Sequence, residues 1–284
     1  MKAADRPADP VGGIQRILVA LDASRQSNAA LEAAAALAET MQAELEGVFV
    51  EDIELLHLAE LPFSREIGFT SSSRRALDSA AMARSLRVRA SQARAMLESV
   101  SARHKVVSSF RVTRGNVLTE LLAATEEVDM VAIGTGGHRM GYSQQGGSTY
   151  SGMVQSCRCS VLVLQDRTAP GDSVVVLFDG SDASMRALEL AKSLASSHHD
   201  PLVVILLEGS NDAGKLEKLA VRAIGDFSDV QFRDLSMTQL AGVRKILDKL
   251  NCGVFLLPRP ISRSIDAFSV EKLTELRCPV MLLP

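Results

Sequence analysis

The stretch "ILVALDASRQSNAALEAAAALA" (Ile17–Ala38) begins as an apolar run and continues as a segment rich in alanine and leucine. A second stretch, "VVVLFDGSDASMRALELAKSLA" (Val174–Ala195), aligns with it without a gap and matches Asp22 with Asp179. A continuous apolar run followed by helix formers is typical of a strand buried on both faces of a parallel sheet and the helix after it. Its recurrence indicates that one domain occurs twice in the chain.

The ends of the two halves correspond as well. The segment "CSVLVLQ" (Cys159–Gln165) resembles "CPVMLLP" (Cys278–Pro284), and "VDMVAIG" (Val128–Gly134) matches "CGVFLLP" (Cys252–Pro258). Both pairs are apolar runs of strand length. The repeat therefore includes the last two strands of each half, not only the first strand and helix.

These matches predict two domains, residues 14–165 and residues 173–284. The polar segment "DRTAPGD" (166–172) contains Pro and Gly and is predicted to link them. Residues 1–13 contain no apolar signal segment, so we expect a disordered lead-in.

Strands alternate with helices in each half, which predicts parallel pairing through right-handed crossovers. Predicted strands of the first half are Ile17–Leu21, Ala43–Val50, Ser108–Gly115, Val128–Ile133 and Val161–Leu164, with a long helix over Arg74–Lys105 and a shorter one over Asn116–Glu127. Middle strands of the second half are predicted at Pro201–Leu207, Val230–Asp234 and Gly253–Leu257. The expected fold is α/β, with two tandem doubly wound sandwiches built on five-stranded parallel sheets. Ligands of such sheets bind at the carboxyl ends of the strands.

Composition limits the classes of partner that the protein is expected to bind. Hydrophobic residues make up 46%, charged residues 23%, and the net charge is −3, so no nucleic-acid partner is indicated. No apolar run reaches the roughly 18 residues of a membrane span, so we expect no membrane partner and a cytoplasmic location. The four cysteines form no paired ligand motif and the five histidines are scattered, so we expect small buried cysteines and no metal site.

The stretch "VAIGTGGHRMGYSQQGGSTYSG" (Val131–Gly152) holds seven of the nineteen glycines and directly follows a predicted strand. Gly134 and Gly137 are followed after nine residues by Gly147 and Ser148. Glycines let backbone N–H groups approach an anion, and a helix N-terminus adds unpaired donors. A surface loop that turns and caps a helix would also use this composition. The composition alone leaves both interpretations open.

Asp22 ends the first strand at the same edge of the predicted sheet. Its carboxylate suits a hydrogen bond to a ribose or a base, and equally an Asx turn or a helix cap. Two other classes of phosphate-binding loop are excluded. The P-loop motif GxxxxGK[ST] is absent, and Arg139 stands where the dinucleotide-binding motif has its third glycine.

The segments "ILVALDAS", "GVFVED", "IGTGGHRMGYSQQGGS" and "CSVLVL", in this order, resemble the universal stress protein family. Nucleotide-binding members show Gly, two residues, Gly, nine residues, Gly, then Ser or Thr, as here. The resemblance implies an adenine nucleotide alpha hydrolase-like fold. It also implies ATP or another adenine nucleotide as ligand, with or without Mg²⁺. Tyr150 departs from the pattern, since the family often has Ser or Thr there. The implied nucleotide-binding residues are Ala20, Leu21, Asp22, Val50, Ile133, Gly134, Gly137, Gly147, Ser148, Thr149 and Tyr150.

The second half departs further from this pattern. Its stretch "LLPRPISRSIDAFSVEKLTEL" (256–276) has no glycine, with Pro258 and Pro260 in place of the first two and Phe268 before Ser269. Proline has no N–H to donate, and phenylalanine blocks close approach. We therefore expect no nucleotide there and a structural role instead.

We expect an intramolecular pseudo-dimer, with or without further homodimerisation. In the family, two domains commonly associate through their last strands, so Val161–Leu164 and Val280–Leu283 are expected to pair at their sheet edges. Such pairing would cover edges that otherwise promote aggregation. The segment Phe49–Gly68 is interpreted as an amphipathic helix packed on the domain, with a lid or a partner-binding helix as the alternative.

The expected function is a stress-response or signalling regulator in which ATP alters contact with a protein partner that the sequence does not identify. No dedicated catalytic residue is evident, since Asp22 and His138 are the only apparent bases near the glycine loop. Alternatives are a slow ATP-hydrolysing enzyme, a nucleotide-free scaffold, and an electron-transfer flavoprotein-like module binding AMP or FAD.

Overall fold

The structure is a computed structural model that describes residues 13–60, 65–67, 74–76, 79–135, 146–165, 171–208, 213–236, 243–265 and 268–284. The strands are β1 (Arg16–Ala20), β2 (Glu44–Asp52), β3 (Arg65–Ile67), β4 (Arg74–Ala76), β5 (Ser108–Gly115), β6 (Met130–Gly134), β7 (Ser160–Leu164), β8 (Ser173–Phe178), β9 (Leu202–Glu208), β10 (Val230–Ser236), β11 (Cys252–Pro258) and β12 (Val280–Leu283). The helices are α1 (Arg25–Met41), α2 (Ile53–Glu60), α3 (Ser79–His104), α4 (Val117–Ala124), α5 (Gly146–Ser156), α6 (Asp182–His198), α7 (Ala213–Ile224), α8 (Val243–Lys249), α9 (Arg259–Ser264) and α10 (Val270–Leu273).

Ten strands form one sheet in the order β10-β9-β8-β11-β12-β7-β6-β1-β2-β5. From the centre of the sheet outward, the five strands of the first half follow in the order β7-β6-β1-β2-β5. The corresponding strands of the second half follow in the same order on the other side, as β12-β11-β8-β9-β10. Within each half all neighbouring strands are parallel. The predicted doubly wound α/β fold is therefore confirmed, since each half winds outward in both directions from its first strand.

The two halves join at the centre of this sheet, where β7 and β12 pair antiparallel. Val163 lies opposite Val280, and Val161 lies opposite Leu282. All four side chains are completely buried. The predicted pairing of the last strands is confirmed, and it covers two edges that would otherwise present unpaired backbone groups. Most of the predicted linker, residues 166–170, lies outside the described residues, so the domain boundaries stay a prediction.

Two apolar layers enclose the sheet. One layer packs α1, α3, α6 and α7 against alternate strand residues such as Ile17 and Val19. The other packs α4, α5 and α8 to α10 against the intervening residues, among them Leu18. Strands covered on both faces need continuous apolar runs, which is why these segments were recognisable in the sequence.

Three predicted helices change in detail. The long helix begins at Ser79 and not at Arg74, because Arg74–Ala76 pairs antiparallel with Arg65–Ile67. The helix predicted over 116–127 ends at Ala124 and continues as one 3-10 turn. The segment 49–68, interpreted as an amphipathic helix, is helical over Ile53–Glu60, where Ala59 is buried and Leu56 packs against the core. Residues 49–52 instead belong to β2 and Arg65–Ile67 to β3, because both stretches pair with neighbouring strands.

Candidate functional site

The candidate site is the crevice between the carboxyl ends of β1 and β6. β1 pairs with β2 on one side and with β6 on the other, where Leu18 lies opposite Val131. The chain leaves β1 toward β2 and leaves β6 toward β7, so the winding reverses between these two strands. Open α/β sheets bind ligands at such a point because the connecting loops diverge there. The structure thus brings the residues after β1 and Gly134, at the end of β6, to the same crevice.

Asp22 lies at the mouth of this crevice in an Asx turn. Its Oδ1 accepts the Ser24 N–H at 2.9 Å. Ser24 Oγ in turn accepts the Ser27 N–H at 3.1 Å and caps α1. The second half repeats this turn, since Asp179 Oδ1 accepts the N–H of Ser181 at 3.0 Å. The turn is therefore a property of the repeated fold, and it positions a half-buried carboxylate at the crevice of the first half.

Gly134 allows β6 to approach α1 closely. A Cβ at this position would lie 2.8 Å from Gln26 Cβ and 2.9 Å from the Gln26 carbonyl carbon. Real Cβ atoms are not found so close to backbone, so a larger residue would displace the first turn of α1. Gly134 therefore has a packing role in the crevice wall. Gly137, the next glycine of the motif, lies outside the described residues.

Helix α5 begins at Gly146, so Gly147 and Ser148 lie in its first turn. The first N–H groups of a helix have no partner within the helix and attract anions. Because α5 connects the parallel strands β6 and β7, its N-terminus lies at the carboxyl edge of the sheet, beside the crevice. The predicted combination of glycines and a helix N-terminus is thus present in the backbone.

Tyr150 makes a hydrogen bond from the first half to the second half. Its side chain is buried, its hydroxyl donates to the Val270 carbonyl at 3.0 Å, and burial raises the pKa of the phenol well above its usual range. Thr149, the residue before it, is half-buried. Tyr150 was included among the predicted nucleotide contacts, and the structure instead places its hydroxyl on the second half.

The floor of the crevice differs between the two halves. Ala20 and Val50 are half-buried in the first half. Their counterparts in the repeat are Leu177 and Leu207, which are 0% and 8% exposed. Smaller residues at matched positions leave the first crevice open, whereas larger ones fill the second. Leu21 and Ile133 are buried beneath the open floor.

The position of the glycine loop is also filled in the second half. Phe268 is 1% exposed and packs on Phe255, with ring centroids 6.0 Å apart. Pro258, which replaces Gly134, is buried at the end of β11. Ser269 precedes α10 and makes no side-chain capping bond. The burial of Phe268 agrees with the prediction that its ring blocks close approach, and Pro258 is also buried, in the sheet.

An ion pair that was not predicted lies beside Val50. Arg114 donates to Glu51 Oε2 from Nη2 at 2.6 Å and from Nε at 2.9 Å. Glu51 and Arg114 lie opposite each other in the parallel register of β2 and β5. Both residues lie near the end of a predicted strand. This shared position was the sequence feature from which the ion pair could have been predicted. The pair fixes the rim of the crevice next to its apolar floor.

The part of the chain that the structure describes contains neither a candidate membrane span nor a candidate metal cluster. No helix in the described ranges combines the length and apolarity required to span a bilayer. Among the same residues, no three His, Cys, Asp or Glu side chains converge as a metal site would require.

Comparisons with known proteins agree with this architecture. A model of the universal stress protein family matches residues 13–165. A universal stress protein from Archaeoglobus fulgidus DSM 4304 has a TM-score of 0.70 at 16% identity, with 94% of this chain and 95% of that chain covered. A functionally unknown protein from Pseudomonas aeruginosa PAO1 has a TM-score of 0.56 at 15% identity, with 96% and 93% covered. The cytoplasmic domain of a prokaryotic cation chloride cotransporter has a TM-score of 0.53 at 11% identity, with 95% of each chain covered. At these identities the similarity concerns the fold, and the search of curated proteins found no significant match.

Proposed function

Because the chain belongs to the universal stress protein family, we propose that it binds one adenine nucleotide, ATP foremost, in the crevice of its first half. This proposal rests on the difference in exposure between the floors of the two crevices. Ala20 and Val50 are half-buried where Leu177 and Leu207 are buried. A planar base needs an open apolar floor, and only the first of these two crevices offers one.

The roles of the residues follow from their places around the crevice. Val50 and Ala20 would contact the base, and Asp22 at the mouth would accept a ribose hydroxyl. The phosphates would lie at the N-terminus of α5, where Gly147 and Ser148 stand in the first turn. Gly137 and Thr149 are assigned to the same phosphate region by the motif. Mg²⁺ would enter as the MgATP complex.

We propose binding and regulation, without dedicated catalysis. The Glu51 carboxylate pairs with Arg114, and Asp22 accepts the N–H of Ser24. Both carboxylates therefore have structural roles, and neither is poised as the base that ATP hydrolysis requires. Bound ATP would favour one arrangement of the loops at the crevice mouth and so change contact with a protein partner, in the cytoplasm.

Matched serine variants test the site. Ser148→Ala is expected to weaken ATP binding about tenfold, because a hydrogen bond to a charged group contributes roughly 1.5 kcal/mol or more. Ser269→Ala, at the same position of the second half, is expected to leave the affinity unchanged. Equilibrium binding of a fluorescent ATP analogue, with ATP as competitor, measures both. Equal effects of the two variants, or no ATP binding by the wild type, would favour the nucleotide-free scaffold.

A further inference from the structure

Two cysteines at the end of α5 form a close pair. Cys157 Sγ and Cys159 Sγ are 3.0 Å apart, within hydrogen-bond distance for two sulfur atoms. Cys157 is 2% exposed, whereas Cys159 is half-buried. The expectation of small buried cysteines therefore holds for Cys157, whereas Cys159 is only half-buried, and the close contact between the two was not predicted. One S–H donates to the other sulfur, so the two thiols titrate together.

The surroundings favour one negative charge on the pair. The hydrogen bond from Cys159 lowers the pKa of Cys157 to about 6, and Thr125 and the Arg259 cation act in the same direction, against the effect of burial. The same bond raises the pKa of Cys159. Arg259 is held beside the pair because its guanidinium donates to the carbonyl oxygens of Cys157 and Cys159. At neutral pH the pair thus holds one proton between two sulfurs, which is the reactive form of a dithiol.

A groove gives access to the pair. It has a volume of about 920 Å³ and lies at the amino ends of β1, β6 and β7, the opposite edge of the sheet from the nucleotide crevice. Cys159 lines it together with Arg158, Asp129 and Thr125. In the favoured form of the pair the proton lies on Cys159 and the charge on Cys157. Transfer of that proton across the hydrogen bond places the thiolate on Cys159, the sulfur that lines the groove.

We propose that Cys157 and Cys159 form a redox-active dithiol that a hydroperoxide oxidises to an intramolecular disulfide. The Cys159 thiolate attacks the peroxide ROOH, the O–O bond breaks, and Cys159 becomes a sulfenic acid while RO⁻ takes a proton and leaves as ROH. The Cys157 sulfur then attacks Cys159 Sγ, the S–O bond breaks, and water leaves with the second thiol proton. The two thiols are oxidised by two electrons and the peroxide is reduced by two. The proposal is independent of nucleotide binding.

The protein contains a matched control pair. Cys252 and Cys278 are also hydrogen-bonded, yet both are buried, and neither lines the groove. The hydrogen bond to Cys278 and burial raise the pKa of Cys252. A buried pair that lines no part of the groove is expected to be inert toward peroxide.

The experiment treats the full chain, without nucleotide, with one equivalent of hydrogen peroxide at pH 7. Remaining thiols are alkylated at intervals, and peptides are analysed by mass spectrometry. We expect a peptide with Cys157 and Cys159 joined, two hydrogens lighter, forming at least tenfold faster than the Cys252–Cys278 pair loses thiols. This order of rates is expected because Cys159 lines the groove and shares one negative charge with Cys157, whereas Cys252 and Cys278 are buried and line no part of that groove.

Two variants complete the test. Cys159→Ser is expected to slow loss of the Cys157 thiol at least tenfold, because it removes the sulfur that lines the groove and that Cys157 would join. Cys252→Ser is expected to leave disulfide formation at Cys157–Cys159 unchanged. Equal oxidation rates of the two wild-type pairs would overturn the proposal. So would an unchanged rate of Cys157 thiol loss in Cys159→Ser. The comparison of wild-type pairs decides the question even if a variant folds poorly.

Discussion

Replacing Gly134 with alanine is expected to reduce the free energy of unfolding by about 2 kcal/mol and to weaken ATP binding. The added Cβ would lie 2.8 Å from Gln26 Cβ and 2.9 Å from its carbonyl carbon. These atoms belong to the first turn of α1 and cannot move without disturbing the cap at Ser24. The same turn positions Asp22, so the crevice and the fold are expected to suffer together. Urea denaturation and ATP titration of the variant measure the two effects.

Gly115→Ala is the control for this prediction. Gly115 also ends a strand, but the three atoms nearest to its added Cβ all belong to the side chain of Glu120, which is flexible. We expect a cost below about 1 kcal/mol and unchanged ATP affinity. If both glycine variants lose the same stability, close packing at Gly134 is not what requires glycine there.

Phe268→Ala is expected to cost about 3–5 kcal/mol in urea denaturation, as is usual for truncation of a buried phenylalanine. The ring is 1% exposed and packs on Phe255, so its removal leaves a cavity that the neighbouring groups only partly fill. The variant should still bind no nucleotide in its second half, because Pro258, Leu177 and Leu207 remain.

Phe232→Ala provides the matched comparison. Phe232 is half-buried on β10, an outer strand of the sheet, so the same chemical change should cost clearly less. A cost for Phe268→Ala no larger than that for Phe232→Ala would show that the ring does not fill the second crevice.

The two halves have diverged in complementary ways. The first keeps a crevice with a small, half-exposed floor, and the second supplies groups that hold α5. Arg259 donates to the carbonyl oxygen of Cys159 at 2.8 Å, and Arg263 donates to that of Gln155 at 3.0 Å, so both cations lie at the C-terminal end of α5. Cations are favourable there because the helix dipole is negative at that end. The N-terminus of the same helix is the proposed phosphate site, so the second half anchors the element that would bind the nucleotide.

The strands and their parallel pairing within each half were predictable, because buried parallel strands are continuous apolar runs alternating with helices. Ser108–Gly115 was predicted with the observed bounds, and the pairing of β7 with β12 followed from matched last strands and the association common in the family. The start of α3 was not predictable from helix propensity, since Arg74–Ala76 contains helix-compatible residues that are drawn into a strand pair with Arg65–Ile67.

Contacts between distant residues could not be read from the sequence. Tyr150 and Val270, or Arg259 and Cys157, are more than a hundred positions apart and meet only because the halves pack together. The contrast between Ala20 and Leu177 was visible in the aligned repeat, but its meaning depends on which residues the fold buries. The open floor of the first crevice is therefore a structural finding.

A calorimetric titration of nucleotide-free protein with ATP tests most directly whether the first half alone binds nucleotide, because it gives the number of sites per chain. We expect one site per chain in the wild type and none in Gly147→Val, whose side chain would block the approach of phosphates to the first turn of α5. Circular dichroism would verify that the variant is folded. Two sites per chain, or one site that persists in folded Gly147→Val, would contradict the assignment of the nucleotide to the first half.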